Sequence, residues 1–184
     1  MLRLFLGGEK SGKSAAALAR LEQAAGPRLI LATGRAGDLE FRRRIMAHRL
    51  ERSPDIPVRE TGAELPELLG PLFSSGLRSV LVDSLDFWLF HRLGTGDAVN
   101  AEAALLAGLD CVPGLGQPEG PELIIVSCEI GLGPVAATSE TRAFVRTLGA
   151  LNQALAARSQ EVCLLVAGVP LHLKGGADDV FSQA

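Results

Sequence analysis

Residues 7–14 form the motif in this chain with the clearest chemistry. Gly7-Gly8-Glu9-Lys10-Ser11-Gly12-Lys13-Ser14 fits the pattern GxxxxGK[ST] completely, with an apolar run before it and an alanine-rich, helix-favouring run after it. In such a loop the backbone N–H groups hold phosphate oxygens, and the following helix adds its dipole. Lys13 is predicted to reach the β- and γ-phosphates of a nucleoside triphosphate, and Ser14 to bind Mg²⁺. A glycine-rich turn that matches by chance is the alternative.

Two acidic residues stand where apolar runs end. Asp83 closes the run 79–83, and Glu129 directly follows the run 123–128. An acid at the end of a strand is the usual holder of the Mg²⁺ shell in a nucleotide site, so Asp83 is the predicted partner of Ser14. Capping of the next helix is the alternative role for Asp83, and the two roles are compatible. Glu129 is predicted to contact substrate or metal, or else to be a solvated loop residue.

A charged helix is predicted over residues 38–52. Within it Arg44, His48 and Arg52 recur every four residues, so they share one helical face. Two guanidinium groups beside an imidazole suit phosphate oxygens, and a neutral histidine there can accept a phosphoryl or nucleotidyl group covalently. From the spacing alone, a solvated basic face with an incidental histidine is the alternative.

Short apolar runs alternate with helical patterns along most of the chain, which predicts an α/β fold with a mostly parallel sheet and helices on both faces. The strands are predicted over residues 2–6, 28–32, 79–83, 123–128 and 162–167, the last of them being the final clear strand. The remaining helices are predicted from 14 to about 25, over 64–73 with an interruption at Pro66, just after Asp83, over 101–109 and over 139–158. Residues 113–121 are predicted to form a loop. We predict one domain over residues 1–174 and a loose tail over 175–184.

The composition excludes several classes of function. The chain has 184 residues, is 47% hydrophobic and 21% charged, and therefore suits one ordinary globular domain. A net charge of -3 gives no bulk attraction to nucleic acid or to an anionic membrane. With only 4% aromatic residues, a base-stacking platform is not expected. No apolar run is long enough for a membrane span, and no targeting segment is evident at the N-terminus.

Three cysteines are too few and too scattered for a disulfide framework. Cys111, Cys128 and Cys163 form no CxxC pair, and the last two lie inside apolar runs. We therefore predict buried thiols at Cys128 and Cys163 in a cytoplasmic protein. His91 and His172 belong to no metal-ligand spacing, so no structural zinc is predicted.

Several further motifs follow the phosphate-loop pattern in a specific order. They are Leu31-Ala32-Thr33, Asp38-x-Glu40-Phe41, Arg44-Ile45-x-x-His48 with Arg52, Val82-Asp83-Ser84-Leu85, Glu129-Ile130-Gly131-Leu132-Gly133, Gly149-x-x-Asn152-Gln153, and Ala167-Gly168-Val169-Pro170 with Lys174. This series resembles the bifunctional adenosylcobinamide kinase/adenosylcobinamide-phosphate guanylyltransferase family of cobalamin biosynthesis, over nearly the whole chain.

The resemblance implies a RecA-like P-loop NTPase fold, assembly as a homotrimer, and two reactions. A nucleoside triphosphate, ATP or GTP, phosphorylates the aminopropanol hydroxyl of the corrinoid adenosylcobinamide, and GMP from GTP then moves to that phosphate through a GMP-histidine. His48 matches the position of that histidine, and Lys13 and Asp83 complete the predicted catalytic set. Motif and resemblance together predict nucleotide or phosphate contacts at Gly7, Gly8, Glu9, Lys10, Ser11, Gly12, Lys13, Ser14, Thr33, Gly34, Arg35, Arg44, Arg52, Glu60, Asp83 and Glu129.

Three departures from the family pattern keep other functions open. Glu9 stands where the family has a small residue, Asp86 replaces a threonine, and Arg146 stands where the family has an aspartate. One alternative is a kinase that has lost guanylyl transfer. The other is a catalytically inactive regulatory or scaffold homologue that still binds nucleotide.

Overall fold

A computed structural model describes residues 1–34, 56–94, 100–133 and 136–175, so the predicted helix over 38–52 lies outside the described residues. The strands are β1 (Leu2–Gly7), β2 (Arg28–Ala32), β3 (Val58–Glu60), β4 (Ser79–Asp83), β5 (Glu122–Cys128), β6 (Glu161–Val166) and β7 (Val169–Lys174). The helices are α1 (Lys13–Gln23), α2 (Leu65–Ser74), α3 (Leu85–Gly94), α4 (Ala101–Asp110) and α5 (Ser139–Arg158).

The seven strands form one sheet in the order β3-β2-β4-β5-β1-β6-β7. All neighbours from β3 to β6 are parallel, and β7 alone runs antiparallel, paired with β6. The predicted mostly parallel α/β fold of the P-loop NTPase class is thus confirmed. Because the carboxyl ends of parallel strands meet at one edge, the residues that follow β1, β4 and β5 are brought together there.

The five strands β1, β2, β4, β5 and β6 each contribute to two cores because their side chains alternate between the sheet faces. Phe5 packs with α1 on one face, whereas Leu4 and Leu6 pack on the other face with α2 to α5. The fully buried Trp88 of α3 belongs to the larger of the two cores. No helix in the described ranges is long and apolar enough to cross a bilayer.

Two strands were not predicted from the sequence, and 162–167 is not the final one. The chain turns at Ala167 and Gly168 and pairs back on β6 as β7. This strand was missed because Val169, Leu171 and Leu173 alternate with polar residues and with Pro170, which only an edge strand tolerates well. β3 was missed because three residues are too short for a clear apolar pattern.

The predicted interruption of the 64–73 helix at Pro66 is wrong. Pro66 lies in the first turn of α2, where the missing N–H would have no partner within the helix and the proline ring fits the helical backbone. Pro71 lies inside the same helix. The bounds of the other predicted helices that fall in the described residues agree with the structure to within a few residues, and 139–158 is reproduced without change.

An ionic network lies at the amino ends of the strands, opposite the edge where the phosphate loop begins. Arg3 is 2% exposed, and its guanidinium pairs with the carboxylates of both Glu122 and Glu161. Arg20 of α1 adds a second cation to Glu122, with its Nε 2.9 Å from Oε1. The network joins β1, β5 and β6 to α1, so it stabilises the central part of the sheet.

Candidate functional site

The phosphate-loop motif forms the connection between β1 and α1 at the carboxyl edge of the sheet. Gly12 is the N-cap of α1 with φ +94°, a value that a side chain strains. A Cβ on Gly12 would lie 3.3 Å from Cα of Gly168, and one on Gly7 would lie 2.8 Å from the carbonyl oxygen of Leu165. Gly12 is therefore required by its backbone conformation, and Gly7 by the closeness of the β6–β7 hairpin.

Lys13 and Ser14, at the start of α1, lie against neighbouring polar groups. The Lys13 side chain is buried, and its Nζ donates to the carbonyl of Gly8 at 3.0 Å. The hydroxyl of Ser14 donates to Oδ1 of Asp83 at 3.1 Å, so the two predicted Mg²⁺ ligands are adjacent. A hydroxyl and a carboxylate are the hard oxygen ligands that Mg²⁺ takes together with water and phosphate oxygens. Across the described ranges no group of three or more His, Cys, Asp or Glu is placed to hold a metal ion.

Thr33 fixes the position of Asp83. Its N–H donates to the carbonyl of Asp83 at 3.1 Å, and its hydroxyl both accepts from the N–H of Ser84 at 2.9 Å and donates to the carbonyl of Ser84. The Thr33 side chain is fully buried, and its hydroxyl is hydrogen-bonded to the backbone of Ser84, the residue directly after β4. Gly34 follows it and is also buried.

Glu60 lies far from the phosphate loop. It is exposed at the end of β3 and pairs in register with Ala32 of β2. Four strand spacings, about 19 Å, separate β3 from β1. The structure therefore does not bring Glu60 to the loop within this chain.

Glu129 is held beside β1 by a set of hydrogen bonds. Its N–H donates to the carbonyl of Gly7 at 3.1 Å, and its Oε1 accepts from the N–H of Gly131 at 3.2 Å. Asn152 of α5 secures the end of β5, because its side chain accepts from the Ser127 hydroxyl at 2.7 Å and donates to the Cys128 carbonyl at 3.0 Å. The sequence offered Asn152 only as part of a family motif, and its role here is to position the start of the Glu129 loop.

A cleft of about 700 Å³ opens beside the phosphate loop. Its walls are formed by Gly8, Glu9, Lys10, Ser11, Asp86, Cys128, Glu129, Ile130, Leu132, Gly133, Leu164, Leu165, Val166 and Ala167. Glu9 and Lys10 are exposed on the rim, whereas Ser11 is buried. The cleft has the volume of an ordinary small-molecule site.

Cys128 is half-buried in this cleft, so the prediction of a buried thiol is wrong for Cys128 and confirmed for Cys163. Cys128 ends β5, where the sheet opens into the cleft instead of continuing under a helix. Burial, with the Asp86 carboxylate adding to it and Lys13 opposing it, raises the pKa of the Cys128 thiol to about 11. The thiol is therefore protonated at neutral pH and acts as a packing and hydrogen-bonding group between Lys13 and Asp86.

The tip of the β6–β7 hairpin supports the phosphate loop. Ala167 has φ +52° and Gly168 has φ +83°, which is the two-residue turn that closes a hairpin between Val166 and Val169. The N–H of Gly168 donates to the carbonyl of Ser11 at 2.9 Å. The tip thus holds Ser11 of the phosphate loop in place, and its Ala167 forms part of the cleft wall.

We expect Gly168→Ala to weaken nucleotide binding about tenfold, because an L-residue at positive φ costs about 1–2 kcal/mol and a shift of the tip releases the Ser11 carbonyl. Titration calorimetry with a non-hydrolysable GTP analogue measures the Kd. Gly76→Ala is the matched control, since Gly76 also has positive φ and open space around its Cα but follows α2. Equal Kd values for the two variants would contradict a role of the tip in phosphate binding. Because asparagine tolerates this backbone region, we expect Gly168→Asn to bind the nucleotide more tightly than Gly168→Ala.

Four predicted site residues lie outside the described residues: Arg35, Arg44, His48 and Arg52. Their roles stay predictions from the sequence. Of the others, the structure gathers the loop 7–14, Asp83 and Glu129 at one edge, with Thr33 behind Asp83. Asp86 was noted only as a departure from a family pattern, although its place three residues after Asp83 is itself a signal, since one helical turn carries it to the same edge.

A parallel sheet with a glycine loop after β1, a lysine and a serine at the start of α1, and an aspartate on β4 beside that serine defines a P-loop nucleotide-binding protein. The model of the cobinamide kinase / cobinamide phosphate guanyltransferase family matches residues 3–173, and the chain belongs to this family. The enzyme class is therefore that of a kinase and guanylyltransferase.

Two relatives support this assignment. The chain is 39% identical to the bifunctional adenosylcobalamin biosynthesis protein CobP of Pseudomonas aeruginosa, over 95% of this chain and 98% of the relative. It is 29% identical to the bifunctional adenosylcobalamin biosynthesis protein CobU of Escherichia coli, over 95% of this chain and 100% of that protein. The predicted family resemblance is confirmed, and it covers the chain almost from end to end.

Proposed function

We propose that this chain phosphorylates adenosylcobinamide with a nucleoside triphosphate and then transfers GMP from GTP to the new phosphate, giving adenosylcobinamide-GDP. The observation that carries the proposal is the phosphate loop with its Ser14–Asp83 pair, in a chain that matches the family over residues 3–173. We also propose that it works in the cytoplasm, supported by its three free thiols.

In the kinase step the loop amides and Lys13 bind the triphosphate and stabilise the charge that develops on the transferred group. Ser14 and Asp83 would hold Mg²⁺, which supplies charge neutralisation across the phosphates when it is bound. The substrate hydroxyl attacks the γ-phosphorus, the bond from that phosphorus to its bridging oxygen breaks, and the nucleoside diphosphate leaves with the electron pair. The hydroxyl proton passes to a phosphate oxygen or to water as the new bond forms.

In the second step we propose His48 as the nucleophile. Its neutral imidazole nitrogen attacks the α-phosphorus of GTP, and pyrophosphate leaves. An oxygen of the adenosylcobinamide phosphate then attacks the same phosphorus and releases the imidazole. Arg44 and Arg52, one turn to either side on the predicted helix, are proposed to bind the phosphates that move.

Incubation with Mg²⁺ and GTP labelled at the α-phosphate tests the second step. We expect an acid-labile labelled adduct on the unmodified chain and on His172→Ala, and no label on His48→Ala. His172 serves as the control because it lies on β7 and is not among the predicted nucleotide or phosphate contacts. Undiminished labelling of His48→Ala would exclude His48 as the site of attachment.

The same preparation separates the two alternatives. A kinase without guanylyl transfer would take up no label even on the unmodified chain. It would phosphorylate adenosylcobinamide at the same rate in the unmodified chain and in His48→Ala. A regulatory or scaffold homologue would bind nucleotide and show no turnover that depends on adenosylcobinamide.

We also propose a homotrimer. The edge strand β7 exposes Val169, Leu171 and Leu173 in one row, each more than half exposed. Apolar rows of this kind on an edge strand are ordinarily covered by another chain or segment. The row supports assembly, and the family resemblance supplies the number of subunits.

A further inference from the structure

The cleft has an apolar wall that the phosphate chemistry above does not use. Ile130 and Leu132 follow β5, and Val166 ends β6; they are 40%, 78% and 57% exposed. All three line the cleft together with residues 8–11 of the phosphate loop. Large exposed apolar side chains at the edge of a cleft mark a ligand site more often than a random surface.

The turn that presents Ile130 and Leu132 is fixed in place. The N–H of Glu129, at the start of the turn, donates to the carbonyl of Gly7, and the Glu129 carboxylate accepts from the N–H of Gly131. The N–H of Gly133 donates to the carbonyl of Ile130 at 3.0 Å. These bonds orient the apolar side chains before any ligand arrives. Such preorganisation lowers the entropy that a ligand loses on binding.

Asp86 supplies a second, independent sign of a ligand in the same cleft. One of its carboxylate oxygens is buried and has no hydrogen-bond partner among the described residues. A buried acceptor without a partner is unfavourable, so a ligand that brings an O–H or N–H donor is favoured. A triphosphate brings only acceptors and negative charge, and Asp86 repels it towards Lys13.

We infer that this wall is the subsite for the acceptor substrate of the kinase step. The corrinoid macrocycle packs against Ile130, Leu132 and Val166, and Asp86 accepts a hydrogen bond from the hydroxyl that is to be phosphorylated. The triphosphate then occupies the opposite, polar wall formed by the phosphate loop. The inference rests on the proposed function, because that function supplies a large apolar substrate whose hydroxyl must reach the γ-phosphate.

Equilibrium dialysis of adenosylcobinamide, with a non-hydrolysable GTP analogue present, tests the subsite. We expect Leu132→Ser to raise the Kd for adenosylcobinamide about tenfold, the effect of losing one buried leucine contact. Leu132→Met, which conserves volume and apolarity, leaves this Kd within about twofold. Asp86→Ala also raises it, while the Kd of the GTP analogue stays unchanged or falls because a negative charge has been removed.

Three results would overturn the inference. The first is an unchanged adenosylcobinamide Kd in Leu132→Ser. The second is an equal loss of affinity for the GTP analogue in this variant, which would assign the wall to the nucleotide. The third is a change of its oligomeric mass, which would assign the wall to a subunit contact. Turnover by the unmodified chain is measured beside the dialysis. A chain that binds adenosylcobinamide at this wall without phosphorylating it would contradict the proposed function and leave the subsite standing.

Discussion

Replacement of Lys13 by methionine is expected to lower the rate of the kinase step about 10²–10³-fold, the loss seen when one preorganised donor to a developing charge is removed. Methionine is nearly as long as lysine and removes the charge and the N–H donors. Nζ already lies 3.0 Å from the carbonyl of Gly8, so the ammonium group is held over the loop where the phosphates are to bind. Steady-state rates with adenosylcobinamide and saturating nucleotide measure the effect.

The loss belongs to catalysis and not to folding. Within the described structure Lys13 donates to Gly8 and interacts with Cys128, and neither contact ties two strands together through a buried charge pair. We therefore expect the thermal midpoint of Lys13→Met to stay close to that of the unmodified chain. Lys174→Met is the control, because the Lys174 ammonium binds the carbonyls of Ala156 and Ala157 at the end of α5. A kinase rate within threefold of the unmodified chain would remove Lys13 from the catalytic set.

The parallel part of the sheet could be predicted because its central strands are continuous apolar runs between helical patterns. β7 could not be, because a strand with one exposed apolar face and a proline resembles a loop when it is read alone. Its pairing with β6 depends on the two-residue turn at Ala167 and Gly168, where positive φ at a non-glycine residue gives no warning in the sequence.

The candidate site, like the fold, could be predicted from the sequence only in part. Asp83 and Glu129 could be placed near the phosphate loop because both follow strands of a parallel sheet, whose carboxyl ends share one edge. The meeting of Asp86 with Cys128 depends on how α3 packs beside β5, and the support of Ser11 by Gly168 depends on where the hairpin ends. Neither contact leaves a spacing in the sequence, because each joins segments about 40 or more than 150 residues apart.

Replacement of Arg3 by methionine is expected to lower the free energy of unfolding by about 3–5 kcal/mol, the cost of removing one partner from a buried ion network. Methionine fills much of the arginine volume but removes the cation that pairs with Glu161, and it leaves Glu122 with Arg20 and the Met1 ammonium. Two carboxylates at the amino edge of the sheet then lack full compensation in a largely dry environment. Urea unfolding followed by circular dichroism measures the change.

Arg158→Met is the matched control for this loss. Arg158 also pairs with a carboxylate, Asp110, at 2.6 Å, but both side chains are largely exposed, and such surface pairs contribute at most about 1 kcal/mol. Equal destabilisation by the two variants would mean that burial does not set the strength of the Arg3 network. Because β1 separates Arg3 from the phosphate loop by several residues, the folded fraction of Arg3→Met should bind nucleotide with unchanged affinity. The Arg3 network at the amino edge of the sheet therefore contributes to stability, whereas the phosphate loop and the proposed acceptor subsite lie at the carboxyl edge.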